Sequence, residues 1–255
     1  MNGPEAKAKW VLEANGISGI PAESLKEIAD SEGIRYRYND YPEDAWDGML
    51  LYKGDRKAIL VNIHMGNIGK HHFTFAHELG HYFLNHPPSY AKNGQLGFRC
   101  TSEDMEKEQK PREAEANRFA VELLMPRDQF QLDMVGAPLD FGLISSLSNK
   151  YLVSKHACSN RILQMTYSPC IIIRMNGKQI TGWNASRAAR GFLRKMDTVP
   201  LDTAAHKAVI NRWGHDDFLE CDAGKWLMRS IPASKIYECT HIHVDSGAAM
   251  TILKW

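Results

Sequence analysis

The densest chemistry in this chain lies in His77-Glu78-Leu79-Gly80-His81. On an α-helix each residue turns about 100°, so His77 and His81 point within about 40° of each other, one turn apart. Two imidazoles at that spacing can reach one zinc ion at metal–nitrogen distances of about 2.0–2.1 Å. Glu78 sits about 100° around the helix, poorly placed to be a third ligand but able to face a metal-held water as general base. Phe75, Leu79, Tyr82 and Phe83 share the opposite sector, an apolar back for the core. Gly80 either leaves room beside the ligands or lets a neighbouring element pack closely.

A catalytic zinc takes three protein ligands and keeps one position for water. His86 is close by, but the longer H-E-x-x-H-x-x-G-x-x-H pattern needs Gly at 84 and His at 87, where this chain has Leu84 and Pro87. The stretch Arg112 to Met125 reads as a helix carrying Glu113, Glu115 and Glu122. With Glu113 as the origin, Ala116, Asn117, Ala120 and Leu124 lie within about 60°, a face suited to packing inward. Glu115, Arg118 and Glu122 lie at roughly 140–200° and read as solvated charges. Glu113 is therefore the third ligand, because an inward carboxylate is costly unless it meets a cation. Asn117, one turn on, either bonds the second nitrogen of a ligand histidine or simply packs.

Elements must position these residues. Helices are expected over Glu5 to Ala14 and Pro21 to Ser31, a strand over Ile34 to Tyr38, and a hairpin of Gly48 to Tyr52 with Lys57 to Ile63. The metal-binding helix should run from Lys70 to Asn85, stopped by Pro87-Pro88. Residues 86–110, with Asn93-Gly94 and Gly97, read as a long polar loop joining the two ligand-bearing helices. Three short helices follow, Arg127 to Met134, Asp140 to Lys150 and Ser154 to Met165. Strands are then expected at Cys170 to Met175, Lys178 to Trp183, Lys225 to Ser230, Tyr237 to Val244 and Ala249 to Leu253, the first two joined by an Asn176-Gly177 turn. The whole reads as an α+β chain divided into a metallopeptidase core (1–126), a helical extension (127–167) and a β-rich C-terminal sensor or specificity domain (168–255).

Composition narrows the function classes. The chain has 255 residues, with 31 Lys plus Arg against 30 Asp plus Glu. That balance gives nucleic-acid binding no compositional support. The five cysteines are scattered, without a C-x-x-C pair, which fits reduced and mostly buried thiols rather than a disulfide framework. No apolar run approaches the roughly 20 residues that span a bilayer, and Met1 to Val11 does not read as a secretory signal. A cytoplasmic protein is expected.

The blocks Phe73-Thr74-Phe75-Ala76-His77-Glu78-Leu79-Gly80-His81-Tyr82-Phe83-Leu84, Glu113-x-x-Ala116-Asn117-x-Phe119-Ala120 and Leu123-Leu124-Met125-Pro126 resemble the ImmA/IrrE family of bacterial and phage zinc metallopeptidases. The match runs over about residues 20 to 165. One departure is His72, where Arg is common. The resemblance implies a small gluzincin-like fold, Zn(II) held by His77, His81 and Glu113, and Glu78 as the catalytic residue. It also implies a protein substrate, a helix-turn-helix transcriptional repressor whose cleavage relieves repression. Tyr82, His64, His71, His72 and Tyr151 remain candidates for steadying the oxyanion, and the strand Ala58 to Asn62 for holding an extended substrate. His241 and His243, two apart on a strand, would face one way and form at most a minor second metal site. Rival readings are a DNA-binding regulator with a vestigial zinc site, resting on Lys150, Lys155, Arg161, Arg187, Arg190, Arg194 and Lys195, and a toxin-like protein. A solvated face explains those charges more simply.

Overall fold

In a computed structural model of the protein, the described residues are all except 1–2, 43–45, 65, 89, 93–94, 102–110, 191, 229–233 and 244–246. The chain divides into two compact units. The first comprises Met1–Val135 and Ser146–Ala157, the second Gly136–Ser145 and Cys158–Trp255.

The first unit opens with α1 (Pro4–Ala14), a 3₁₀ turn (Pro21–Ser24) and α2 (Leu25–Ser31), then β1 (Ile34–Asn39), β2 (Gly48–Lys53) and β3 (Arg56–Asn62). The hairpin between β2 and β3 turns through Gly54 at φ +56°, the left-handed backbone that glycine adopts without strain. Next come α3 (Ile68–Phe83), β4 (Tyr90–Lys92), β5 (Gln95–Cys100) and α4 (Pro111–Leu124). The five strands form a sheet in the order β1-β3-β2-β5-β4. β1 runs parallel to β3, and every other pair is antiparallel. Helix α3 packs on β2 and β3, and α4 packs on α3 and α1. Helix α5 (Arg127–Met134) completes this run.

Two expectations fail here for identifiable reasons. The stretch 86–110 is not one loop, because β4 and β5 extend the sheet within it. The Asn93-Gly94 pair and residues 102–110 lie outside the described residues. Gly97, read as a turn former, sits inside β5, where a Cβ would come 2.1 Å from the Leu50 carbonyl oxygen. That glycine permits close strand approach rather than a turn. The strand Ala58 to Asn62 cannot take a substrate by strand addition, since β3 is hydrogen-bonded to β1 on one side and β2 on the other.

Helices α6 (Phe141–Tyr151) and α7 (Lys155–Met165) follow, and the division between the units falls within each of them. Arg161, expected on a solvated face, is buried and bonds the Gln164 side-chain oxygen at 3.3 Å.

The second unit continues with β6 (Cys170–Asn176), β7 (Gln179–Ala185), α8 (Ala204–Asn211), β8 (His215–Asp222), the short α9 (Ala223–Trp226), β9 (Lys235–Ile242) and β10 (Ala248–Lys254). Its five strands lie in the order β7-β6-β10-β9-β8, antiparallel throughout. Ile171, Ile173, Trp226, Leu227, Ile236 and Leu253 lie at the centre of its core. Of the expected strand at Lys225 to Ser230, residues 225–227 are instead the end of α9 and a single bridge between Leu193 and Leu227, while residues 229 and 230 lie outside the described residues. Chain fold and composition together are α+β, with a β-rich C-terminal region. Among the described residues no helix is long and apolar enough to cross a membrane.

Candidate metal centre

Helix α3 starts where the Asn67 side chain accepts the Lys70 backbone N–H at 3.0 Å, satisfying one of the orphan donors of the first turn. Lys70 is further tied to Asp47 at 2.6 Å. Phe75 and Leu79 are fully buried, and the Phe75 ring meets Tyr36 and Tyr38 of β1, each at 5.7 Å between centroids. The polar front is equally enclosed, for His77, Glu78 and His81 have no solvent exposure at all. Gly80 is a packing residue, since a Cβ there would sit 3.1 Å from both the Ala116 Cα and the Ala116 carbonyl oxygen. The close approach of α3 and α4 brings Glu113 to the histidines.

Helix α4 presents the inward face expected of it. Glu113, Ala116, Asn117, Ala120 and Leu124 are all buried, and Arg118 is exposed. Glu122 is a correction. It is buried, and its Oε1 accepts the Arg127 N–H at 2.8 Å, closing the first turn of α5 after the Met125-Pro126 corner. Glu115 is a second correction, for its half-exposed carboxylate holds His86 Nε2 at 3.1 Å.

The side chains converge tightly. His77 Nε2 lies 3.1 Å from His81 Nε2 and 3.2 Å from Glu113 Oε2, and His81 Nε2 lies 3.4 Å from the same oxygen. Cys100, the last residue of β5, joins them, with Sγ 3.7 Å from His81 Nε2 and 3.8 Å from Glu113 Oε2. All four residues are buried, with one donor atom from each within 4.8 Å of the others. Among the described residues no second group of His, Cys, Asp and Glu gathers in this way, His241 and His243 included.

The back nitrogens of both histidines are held. His77 Nδ1 lies 2.9 Å from Asn117 Oδ1, the bonding alternative for that residue. His81 Nδ1 lies 2.9 Å from His86 Nδ1, whose other nitrogen reaches Glu115. An amide oxygen can only accept, so His77 carries its proton on Nδ1. By the same logic the carboxylate takes the Nε2–H of His86, leaving His86 Nδ1 to accept from His81 Nδ1–H. Each Nε2 faces the cluster, where it meets Glu113 and could offer a lone pair to a bound metal. Burial pushes the His81 ring down to about 4, so it is neutral near pH 7. Burial alone would raise the Glu113 carboxyl, but contact with His77 and His81 outweighs it and holds the group well below the usual carboxylate range.

Glu78 differs. Its carboxyl is fully enclosed, and neither oxygen accepts a well-aligned hydrogen bond. Burial pushes it up to about 7, against the pull of nearby His77 and weaker pulls from the Cys100 thiol and the Leu50 backbone. Gly48 makes room for it, since a Cβ there would come 2.8 Å from Glu78 Oε1.

Most oxyanion candidates are engaged elsewhere. The Tyr82 hydroxyl donates to Glu32 at 2.8 Å, and the Tyr151 hydroxyl to Asp133 at 2.7 Å. His64 pairs with Asp40 at 2.8 Å, and His72 Nδ1 lies 2.9 Å from the Leu152 carbonyl oxygen. Cys100, His86 and Glu115 are the residues that sequence reasoning left out of the site. The one available signal was that Cys100 and His86 lie between His81 and Glu113 in the chain.

No curated protein matches the chain. Among solved structures it is similar to a Mycobacterium tuberculosis transcriptional regulator, at 16% identity and a TM-score of 0.56, over 98% of this chain and 75% of that one. That likeness speaks for the fold. Residues 29–163, more than half of the chain, match the model of the IrrE N-terminal-like domain, Peptidase_M78. The chain belongs to that family.

Proposed function

We propose that this protein is a zinc-dependent endopeptidase that cleaves a helix-turn-helix transcriptional repressor and so relieves repression. The observation that carries the chemistry is a buried cluster of His77, His81 and Glu113 beside a fully enclosed carboxyl, Glu78, that has no aligned donor. The donor set suits the metal: two imidazole nitrogens and one carboxylate are the His₂Glu set of many zinc peptidases. His77, His81 and Glu113 would hold the ion, which when bound supplies Lewis acidity to activate water and polarise the scissile carbonyl. Asn117 fixes His77, and the His86–Glu115 pair fixes His81, so both rings are oriented in advance.

Glu78 takes a proton from the attacking water and returns it to the leaving nitrogen. Its raised pKa, about 7, suits both halves of that task near neutrality. The substrate class rests on family membership, and the name of the M. tuberculosis structure is in keeping with a regulatory role. The test is to incubate the zinc-loaded protein with a helix-turn-helix repressor from the same organism and, separately, with casein. Cleavage of the repressor at one or few sites is expected. Rapid casein degradation with the repressor left intact would overturn the regulatory reading.

A further inference from the structure

We infer that Cys100 is a fourth donor to the same metal and that its thiolate closes the site into a latent state. This rests on reading His77, His81 and Glu113 as metal ligands. The observation that carries it is the set of distances. With metal–nitrogen and metal–oxygen bonds near 2.0–2.1 Å and a metal–sulfur bond near 2.3 Å, a tetrahedral site separates its nitrogen and oxygen donors by about 3.3 Å, and sulfur from each of them by about 3.6 Å. The three nitrogen–oxygen and nitrogen–nitrogen separations are 3.1, 3.2 and 3.4 Å. Two of the three sulfur separations are 3.7 Å, to His81, and 3.8 Å, to Glu113, and the third, to His77, lies within 4.8 Å. Toward His81 and Glu113, Cys100 thus stands at the distance of a corner of the polyhedron, and a small closure toward His77 completes it.

The surroundings support the assignment. Cys100 is fully buried and outside any disulfide. Its backbone is fixed by the strand register, opposite Gly48 of β2, the glycine that makes room for Glu78. The other four cysteines are also buried, yet none of them belongs to a group of metal-binding side chains among the described residues.

The consequence concerns regulation. A catalytic zinc keeps one position for water, whereas a four-donor protein site is closed in the manner of structural zinc. On binding, the metal replaces the thiol proton of Cys100, which leaves to solvent. Opening is the reverse, with the sulfur regaining a proton as it withdraws. Until it withdraws, Glu78 has no activated water to deprotonate.

The test uses the full chain, stripped of metal and reconstituted with one equivalent of Co(II). The wild type should show the intense near-ultraviolet thiolate-to-cobalt band of one sulfur ligand. Cys100→Ser and Cys100→Ala should lose that band while still binding one cobalt, and with zinc they should cleave the repressor faster than wild type. Cobalt bound by the wild type without a thiolate band would overturn the inference and leave the metallopeptidase reading standing. A band that persists in both variants would also overturn it. If the wild type binds no cobalt, both readings fall together. Should either variant not fold, the wild-type spectrum alone decides.

Discussion

Among the described residues two glutamates, one in each unit, are all but fully enclosed, and they are built in opposite ways. Glu238 on β9 is 1% exposed. Its Oε2 accepts the indole N–H of the fully buried Trp226 at 2.9 Å, and its Oε1 accepts the backbone N–H of Ala204 at the start of α8. One carboxylate thus ties a strand to two helices. Glu78 on α3 is as deeply buried, but no aligned donor serves either oxygen. Leaving a buried acid unserved costs several kcal/mol unless it becomes neutral. Burial alone therefore does not distinguish a structural acid from a chemical one; the supply of donors does.

That contrast can be broken by substitution. The largest effect should come from Glu78→Gln, which keeps shape and removes the proton acceptor. Peptidase kcat should fall by about 10²- to 10⁴-fold, with metal content unchanged by elemental analysis. The metal-free variant should unfold in urea no earlier than the parent, because a neutral amide is cheaper to bury there than an acid. Glu238→Leu should behave in reverse. It strands two buried donors and should lower unfolding stability by about 3 kcal/mol, with zinc content and kcat of the folded protein unchanged. If Glu238→Leu lost zinc, the separation of roles drawn here would be wrong.

Smaller effects sharpen the picture around the metal. Asn117→Ala and His86→Ala each remove the group that fixes one ligand imidazole. Zinc affinity, measured by chelator competition, should drop by about 10- to 100-fold in either case. Glu113→Ala should bind no zinc in the same assay. Glu115→Ala should weaken binding by only about threefold, because a half-exposed carboxylate acts at one remove through His86. Equal losses for Glu113→Ala and Glu115→Ala would mean that the third ligand has been misassigned.

Much of the site was legible because helical periodicity is rigid. A fixed turn per residue puts His77 beside His81, and it sorts Glu113 and Asn117 from Arg118 without reference to any other element. The same reasoning failed for Glu122, whose burial depends on a corner at Met125-Pro126 and on the next helix, which no single-helix projection contains. Strands proved harder. β8, whose sequence begins His-Asp-Asp, was not anticipated, yet charge on a strand at the edge of a sheet is ordinary protection against further pairing. Helix α8 was missed as well, although the Thr203 side chain caps it by accepting the His206 N–H at 3.0 Å. Cys100 had only its place between His81 and Glu113 to mark it, because strand register, not chain proximity, carries its sulfur to the histidines.

Helix α3 ends at Phe83, and two residues on Asn85 takes the left-handed conformation, with φ +52°. The His86 N–H folds back onto the His81 carbonyl oxygen at 3.1 Å, and this reversal sets the His86 ring against the His81 ring. The stop is therefore a register device. One extra residue between His81 and Asn85 would carry the histidine about 100° around the axis and cut the link to Glu115. Such an insertion would leave His77, Glu78 and His81 in their spelling, and a comparison of that motif alone would pass the damaged chain as intact. If the cluster holds the proposed metal, the length of a helix is part of its chemistry.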